Sequence, residues 1–150
     1  MLRFVFRLDP LLTARRRAEE TVQREVAALQ RQRLDMEDRI RRRQHAIRQG
    51  KQDLRDELTG TLRMSDLRGH AGTTLRLMRD AQKLVLELAG LHKRLDAARG
   101  RLLEAVRRRR AIEILRERRR EQWRAAAEKA DTDAMDELAV IAAARREAES

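Results

Sequence analysis

The feature that most constrains the fold is a row of positions in the second half of the chain, spaced by alternating steps of four and three residues. Such steps keep side chains on one side of an α-helix, whereas a strand would need steps of two. The row, here called the second stripe, is mostly apolar and consists of Leu77, Ala81, Leu84, Leu88, Leu91, Leu95, Ala98, Leu102, Ala105, Arg109, Ile112, Arg116, Arg119, Trp123 and Ala126. It predicts one long helix with a single apolar side.

A comparable row, the first stripe, occupies the first half of the chain. Its two alternating sets are Leu12, Glu19, Val26, Arg33, Ile40, Ile47 and Leu54, and Leu8, Arg15, Val22, Leu29, Met36, Arg43 and Gly50. Four of these positions are charged, yet the spacing is sustained. Asp9 before Pro10 predicts the helix start, because Asp can cap free amides and Pro is tolerated in the first turn.

We therefore predict an all-α fold, with residues 1–150 forming one antiparallel coiled-coil hairpin of two long helices. Helix one is expected at about 9–58, a loop at about 59–65, and helix two at about 66–128. Beyond a looser stretch around Asp131, a helical extension is expected to about 146. A short loop between two stripes favours antiparallel pairing, since neither helix can bury its stripe alone.

Two pairing registers satisfy this pattern. In one, facing residues have numbers that add up to 124, which sets Val22 against Leu102 and Leu29 against Leu95. In the other they add up to 131, which sets Leu29 against Leu102. Each register gives seven fully apolar layers, so the apolar pattern does not choose between them. A helix start at Ser65 slightly favours the first.

Composition agrees with long helices. Only 2% of residues are aromatic and 41% are charged, which is typical of coiled coils and also of disorder, so the periodicity decides. The chain has no cysteine, and no run of about 18 apolar residues that could span a membrane. Its first residues lack the features of a secretory signal, and we expect a cytoplasmic protein.

The charge is strongly positive and unevenly placed. The net charge is +11, whereas residues 128–150 carry seven acids and three bases. Runs of arginine occur at 15–17, 41–43, 107–110 and 118–120. We interpret them as solvated helix faces, because single-strand binding or sequence readout usually also needs aromatic side chains or a groove-entering helix. A basic coiled coil that binds DNA or RNA is the alternative from a different functional class.

Residues that carry chemistry do not converge in the sequence. His45, His70 and His92 are far apart and form no metal-binding spacing, and the glycines form no phosphate-binding loop. Two packed helices also offer little concavity for a shielded pocket. We expect no catalytic residue, no metal and no cofactor, and hence no enzyme.

Apolar residues beside the second stripe mark a candidate docking face. Met78 and Val85 lie outside that stripe and, with its member Ala81 and with Thr74 one turn earlier, form a narrow row at the loop end of helix two. A broad seam with flanking apolar residues explains the same pattern equally well. We interpret Trp123 as a core residue near the open end of the hairpin. Residues 1–8 and about 140–150 are expected to lie beyond the paired stripes, with few contacts.

The two ends of the chain resemble a known family. The apolar start Phe4, Phe6, Leu8, Leu11 and Leu12 resembles the beginning of FliJ, a flagellar export protein. The arginine-rich stretch from Arg109 to Trp123 and the sequence Met-Asp-Glu-Leu-Ala at 135–139 are similar to later parts of that family.

This resemblance implies a non-enzymatic stalk and escort protein of the flagellar export apparatus. The implied partners are the export ATPase FliI, its regulator FliH, the export gate FlhA and export chaperones, with membrane association only through these partners. It implies a gate contact at Thr74, Met78, Ala81 and Val85, and an ATPase contact at Arg109, Arg116, Arg119 and Trp123. The equivalent stalk of a virulence-type type III secretion system is the nearest alternative.

Overall fold

Two helices account for almost all of the described chain. The structure, a computed structural model, describes residues 3–61 and 63–149. Helix α1 spans Asp9–Glu57 and helix α2 spans Met64–Ala148, and the described residues contain no strand. Met1, Leu2 and Ser150, which belong to the predicted ends, and Leu62, which belongs to the predicted loop, lie outside the described residues.

The helix ends follow from local backbone hydrogen bonds. Leu8 accepts a bond from the amide of Leu12 at 2.9 Å, so α1 begins at Asp9 with Pro10 in its first turn. At the start of α2 the carbonyl of Arg63 accepts bonds from the amides of Asp66 and Leu67, at 3.1 and 3.2 Å. The capping position is therefore Arg63, and Ser65 lies inside the first turn rather than before it.

Helix α2 is continuous where a looser stretch around Asp131 was expected. The backbone stays helical to Ala148, and the hydroxyl of Thr132 donates a 2.9 Å hydrogen bond to the carbonyl of Glu128. A threonine bonded one turn back keeps its hydroxyl satisfied without leaving the helix. The Asp and Thr residues here therefore do not interrupt the helix.

The chain divides into two compact units. One comprises Met1–Glu19 with Ala105–Ser150, and the other comprises Glu20–Glu104. We call them the terminal unit and the central unit. In each, α1 and α2 segments pack antiparallel: Asp9 pairs with Arg116 and Glu19 with Arg109 in the first, and Glu25 pairs with Arg101 and Glu57 with His70 in the second. The prediction of an all-α fold with two helices packed against each other is confirmed.

The core of the central unit is a single apolar cluster. Its buried members are Val26, Leu29, Leu91, Leu95 and Ala98, with Val22, Met36, Leu88 and Leu102 packed against them. The prediction that Leu29 packs against Leu95 or Leu102 within one chain is confirmed, since all three belong to this cluster.

The central unit adopts the register in which facing numbers add up to 124. Val22 faces Leu102 and Val26 faces Ala98 in that register, and all four belong to the one cluster. Farther toward the loop, a Cβ atom at Gly50 would stand 3.9 Å from the hydroxyl oxygen of Thr74, a pair whose numbers give the same sum.

The terminal unit is held by two stripe residues, Leu12 and Trp123, together with Phe4 and Phe6, which the stripes did not include. Phe6 is 7% exposed and Leu12 is 3% exposed, and the rings of Phe4 and Trp123 lie 5.9 Å apart. The expectation that residues 1–8 make few contacts is therefore wrong for Phe4 and Phe6. Their aromatic side chains bury surface just before α1 begins. At the other end, every described residue from 128 to 149 is exposed.

The central core should dominate the stability of the central unit. Leu95 is fully buried, so Leu95→Ala is expected to lower the free energy of unfolding by about 2–4 kcal/mol through lost burial and an unfilled cavity. Leu86→Ala is the matched control, because Leu86 is 74% exposed and its truncation should change stability by less than about 0.5 kcal/mol. Urea denaturation followed by circular dichroism measures both. Equal losses would contradict this core.

Candidate functional site

The predicted gate-binding residues lie on α2 in the central unit. Thr74, Met78 and Ala81 are half-buried, whereas Val85 is 51% exposed. Ala81 belongs to the second stripe and Thr74 lies three residues before its first member, which explains their partial burial at the contact with α1. Of the four, Val85 offers the largest part of its side chain to a partner, and Met78 offers less.

More apolar surface is exposed beside these residues. Leu75 is 54% exposed and Leu86 is 74% exposed, and both lie within one or two turns of Met78 and Val85 on the same side of α2. We call Leu75, Met78, Val85 and Leu86 the central face. Four apolar side chains grouped on one helix surface make a candidate docking face, of the kind that helix-in-groove contacts use.

The predicted ATPase-binding residues lie in the terminal unit, and two of the four are engaged in ion pairs. Arg109 donates hydrogen bonds to the carboxylates of Glu19 and Glu113, the latter at 2.7 Å. Arg116 donates from Nε to Oδ1 of Asp9 at 3.0 Å. These two guanidinium groups therefore bridge α1 and α2, and their first role is structural.

Arg119 and Trp123 instead line a groove. Trp123 is 38% exposed and its ring packs against that of Phe4. The groove, which we call the terminal groove, is lined by Phe4, Val5, Phe6, Arg7, Leu8, Leu115, Arg119 and Trp123. It combines an apolar floor with two guanidinium groups, a combination that suits a segment carrying both apolar and acidic side chains. The side chain of Trp123 is thus partly buried within the chain and partly accessible to a partner.

Sequence reasoning did not assign a role to Glu19 or Glu113. Glu19 is only 8% exposed, although it occupies a position of the first stripe where an apolar residue is usual. Glu113 adds a second carboxylate, which also accepts a bond from Arg16 at 3.4 Å. The signal was present in the sequence: a charged residue on each stripe, Glu19 and Arg109, at positions that an antiparallel pairing brings close.

The charges of this network reinforce each other. The hydrogen bond from Arg109 lowers the pKa of Glu113 below its ordinary value, with a smaller contribution from Arg16, while burial acts in the opposite direction. The hydrogen bonds to Glu19 and then to Glu113 raise the pKa of Arg109. Both shifts favour the ionised pair. The network therefore stabilises the contact between α1 and α2 as long as its carboxylates stay charged.

The described residues offer no centre for metal chemistry. Across residues 3–61 and 63–149, no three His, Asp or Glu side chains are grouped so that they could hold a metal ion. His70 instead lies 2.8 Å from the carboxylate of Glu57, and His45 and His92 are exposed. Within the same described residues, neither helix contains a segment both long and apolar enough to cross a membrane.

The lowered pKa of Glu113 predicts how stability depends on pH. A carboxylate with a lowered folded-state pKa adds stability above its unfolded pKa, about 4.3, and this stability is lost as pH falls through the folded value. Glu113→Gln should therefore destabilise the chain by roughly 0.5–1 kcal/mol at pH 7 and by less at pH 3.

The control is Glu117→Gln, one helical turn farther along α2, where the side chain is exposed. It should change stability little at either pH. Urea unfolding of the three proteins at pH 7 and pH 3 measures the difference. A Glu113→Gln penalty that is the same at both pH values would contradict a role for its charge.

Comparisons with known proteins place the chain in a family. No match was found among curated proteins or among solved structures. A family model described as flagellar FliJ protein matches residues 4–148, which includes both helices and both candidate surfaces. Because the match covers nearly the whole chain, this protein belongs to the FliJ family.

Proposed function

We propose that this chain is the non-catalytic stalk and escort protein that links a flagellar export ATPase to the export gate. As a FliJ-family protein it is a component of the flagellar export apparatus. The observation that carries the proposal is the presence of two exposed surfaces of different chemistry, one in each unit. The central face is apolar, and the terminal groove combines apolar and guanidinium groups. Two unlike surfaces suit a protein that contacts two unlike partners.

The central face is proposed as the contact with a gate of the FlhA kind. Its apolar side chains provide anchors, and apolar anchors supply much of the binding energy in helix-in-groove contacts. Thr74 and Ala81, which lie at the edge of the contact with α1, would set how closely a partner approaches. The side chains of Met78 and Val85 would insert into an apolar groove of the partner.

The terminal groove is proposed as the contact with an ATPase of the FliI kind and its FliH-like regulator. Arg119 and Trp123 would contact the partner directly, because both line the terminal groove and Trp123 is 38% exposed. Arg109 and Arg116 would act indirectly, by holding the two helix segments together through Glu19 and Asp9.

The stalk and escort role also concerns the export chaperones and the location of the chain. Export chaperones would be escorted between the two partners, and the chain would be cytoplasmic and reach the membrane only through the apparatus. The same surfaces would serve in the stalk of a virulence-type secretion system. The neighbouring genes distinguish the two settings, since the gene of a flagellar stalk lies among flagellar genes and the gene of a virulence-type stalk does not.

The gate contact is tested by placing carboxylates on the central face. Met78→Asp with Val85→Asp should abolish binding to the gate's cytoplasmic domain, because each unpaired carboxylate in an apolar contact costs about 1–3 kcal/mol or more. Isothermal titration calorimetry measures the affinity, and circular dichroism checks that helicity is kept. Lys83→Asp with Glu87→Lys, at exposed positions on other sides of the same turns, is the matched control and should bind normally.

The ATPase contact is tested in the terminal groove. Arg119→Ala with Trp123→Ala should lower stimulation of the export ATPase by roughly tenfold or more, since an aromatic and an arginine anchor are lost together. It should leave gate binding unchanged, and the Met78→Asp, Val85→Asp protein should show the opposite pattern. Phosphate release measures the stimulation.

Two outcomes would contradict the proposal. If both double variants lose both partners, the two surfaces are not separate sites. If the chain binds neither partner but binds RNA with a steep salt dependence that falls when Arg107–Arg110 are neutralised, nucleic acid is the ligand. The linking role would then be withdrawn.

A further inference from the structure

The last turns of α2 carry an apolar face that nothing in the described chain covers. Met135 is 70% exposed, Leu138 is 62% exposed and Ile141 is 49% exposed. With Ala134 and Ala142 these side chains share one side of the helix, following steps of three and four residues. The acids Asp133 and Asp136 lie on the opposite side, and Glu137 flanks the apolar side next to Ile141. This face, here called the C-terminal face, belongs to the terminal unit and is distinct from the terminal groove.

A helix segment of this kind needs a partner. A lone helix with one apolar side is marginal in water, because its stability normally comes from packing that side against another element. Here every described residue from 128 to 149 is exposed, so no segment of the same chain supplies that packing. A surface outside this chain must therefore cover it.

The order of residues along the C-terminal face indicates what kind of surface covers it. Counted outward from Leu138, Met135 and Ile141 stand three residues away on either side, and Ala134 and Ala142 stand four residues away. Seven residues away stand Asp131 on one side and Arg145 on the other. The face is therefore symmetric in size about Leu138 and opposite in charge at its two ends.

A face with this symmetry is complementary to itself. If two copies pack antiparallel with a two-fold axis at Leu138, then Leu138 meets its equivalent, Met135 meets Ile141, and Ala134 meets Ala142. Asp131 of each copy meets Arg145 of the other, so the ends of the contact are closed by two equivalent ion pairs. A parallel pairing would instead set Asp131 against Asp131 and Arg145 against Arg145, which like-charge repulsion disfavours.

We propose that the C-terminal face, centred on Leu138, pairs two copies of this chain through their α2 helices in an antiparallel, two-fold symmetric contact. The acids on the opposite side stay in water and keep the pair soluble. Three large apolar side chains per copy make a contact smaller than the ~800 Å² per partner typical of stable complexes. The dimer is therefore reversible, with an expected dissociation constant of about micromolar or weaker.

The test uses the full chain and sedimentation equilibrium over about 1 µM to 1 mM protein. The unchanged chain is expected to shift from monomer to dimer across this range. Leu138→Asp, which sets two carboxylates against each other at the axis, should keep the chain monomeric. Val140→Asp is the matched control, because Val140 is 69% exposed on the other side of the same turn, and it should dimerise normally.

Charge exchange tests the ion pairs. Asp131→Arg alone and Arg145→Asp alone should each weaken the dimer by roughly tenfold, because two attractive pairs become repulsive. The chain carrying both changes should recover the original dissociation constant, which mere damage to the helix would not allow.

Crosslinking tests the direction, since the chain has no cysteine of its own. An equimolar mixture of Ala134→Cys and Ala142→Cys chains should form mainly the mixed disulfide dimer, because the two positions meet only in the antiparallel pair. A mixture that forms only the two like dimers would overturn the antiparallel arrangement. A chain that remains monomeric at 1 mM would overturn self-pairing and leave the C-terminal face to a different protein, such as the export ATPase.

Discussion

Burial of one apolar side of each helix is the interaction on which the rest of this structure depends. In the central unit Leu91, Leu95 and Ala98 of α2 are fully buried against Val26 and Leu29 of α1. Burying an aliphatic side chain contributes about 1.5–3 kcal/mol, whereas an isolated helix gains little from its own hydrogen bonds. The helices persist because they pair. Everything outside the paired sides has to tolerate water, which explains why so much of the chain is arginine and glutamate.

A buried ion pair adds to the apolar packing in the terminal unit. Two registers offer the same number of apolar layers, but they treat Glu19 differently: one sets it opposite Ala105, the other opposite Ile112. In the structure Glu19 is 8% exposed and pairs with Arg109, whose side chain reaches it from the following turn. A buried carboxylate without such a partner is costly. The numbers of Glu19 and Arg109 add up to 128, within one helical turn of both registers, so this ion pair stabilises the contact between the two helix segments without choosing the register.

Interactions that repeat along the chain could be predicted from the sequence, whereas contacts that occur once could not. The four-three rows repeat over many turns, so two antiparallel helices and the packing of Leu29 against either Leu95 or Leu102 were predictable. The register was not, because aliphatic layers are interchangeable while a contact that distinguishes the registers, such as Gly50 with Thr74, occurs once. The burial of Phe6 was missed for the same reason, since it lies before α1 and outside any repeat. Of the eight predicted site residues, Arg109 and Arg116 are engaged in ion pairs between the helices, whereas Val85 and Trp123 are exposed side chains without such a bond. The sequence does not contain that distinction directly.

A two-helix unit also makes its interaction surfaces easy to recognise, for a physical reason. Each helix buries only the side that faces the other, so an apolar residue elsewhere gains nothing from the fold and remains in water. Leu86, Val5 and Met135 are each at least 70% exposed, and they lie on three separate surfaces with different charge around them. The central face is almost purely apolar, the terminal groove carries arginine, and the C-terminal face carries one acid and one base at opposite ends. The different arrangements of charge are the reason why we propose a different kind of partner for each surface: an apolar groove, an acidic segment, and a second copy of the chain.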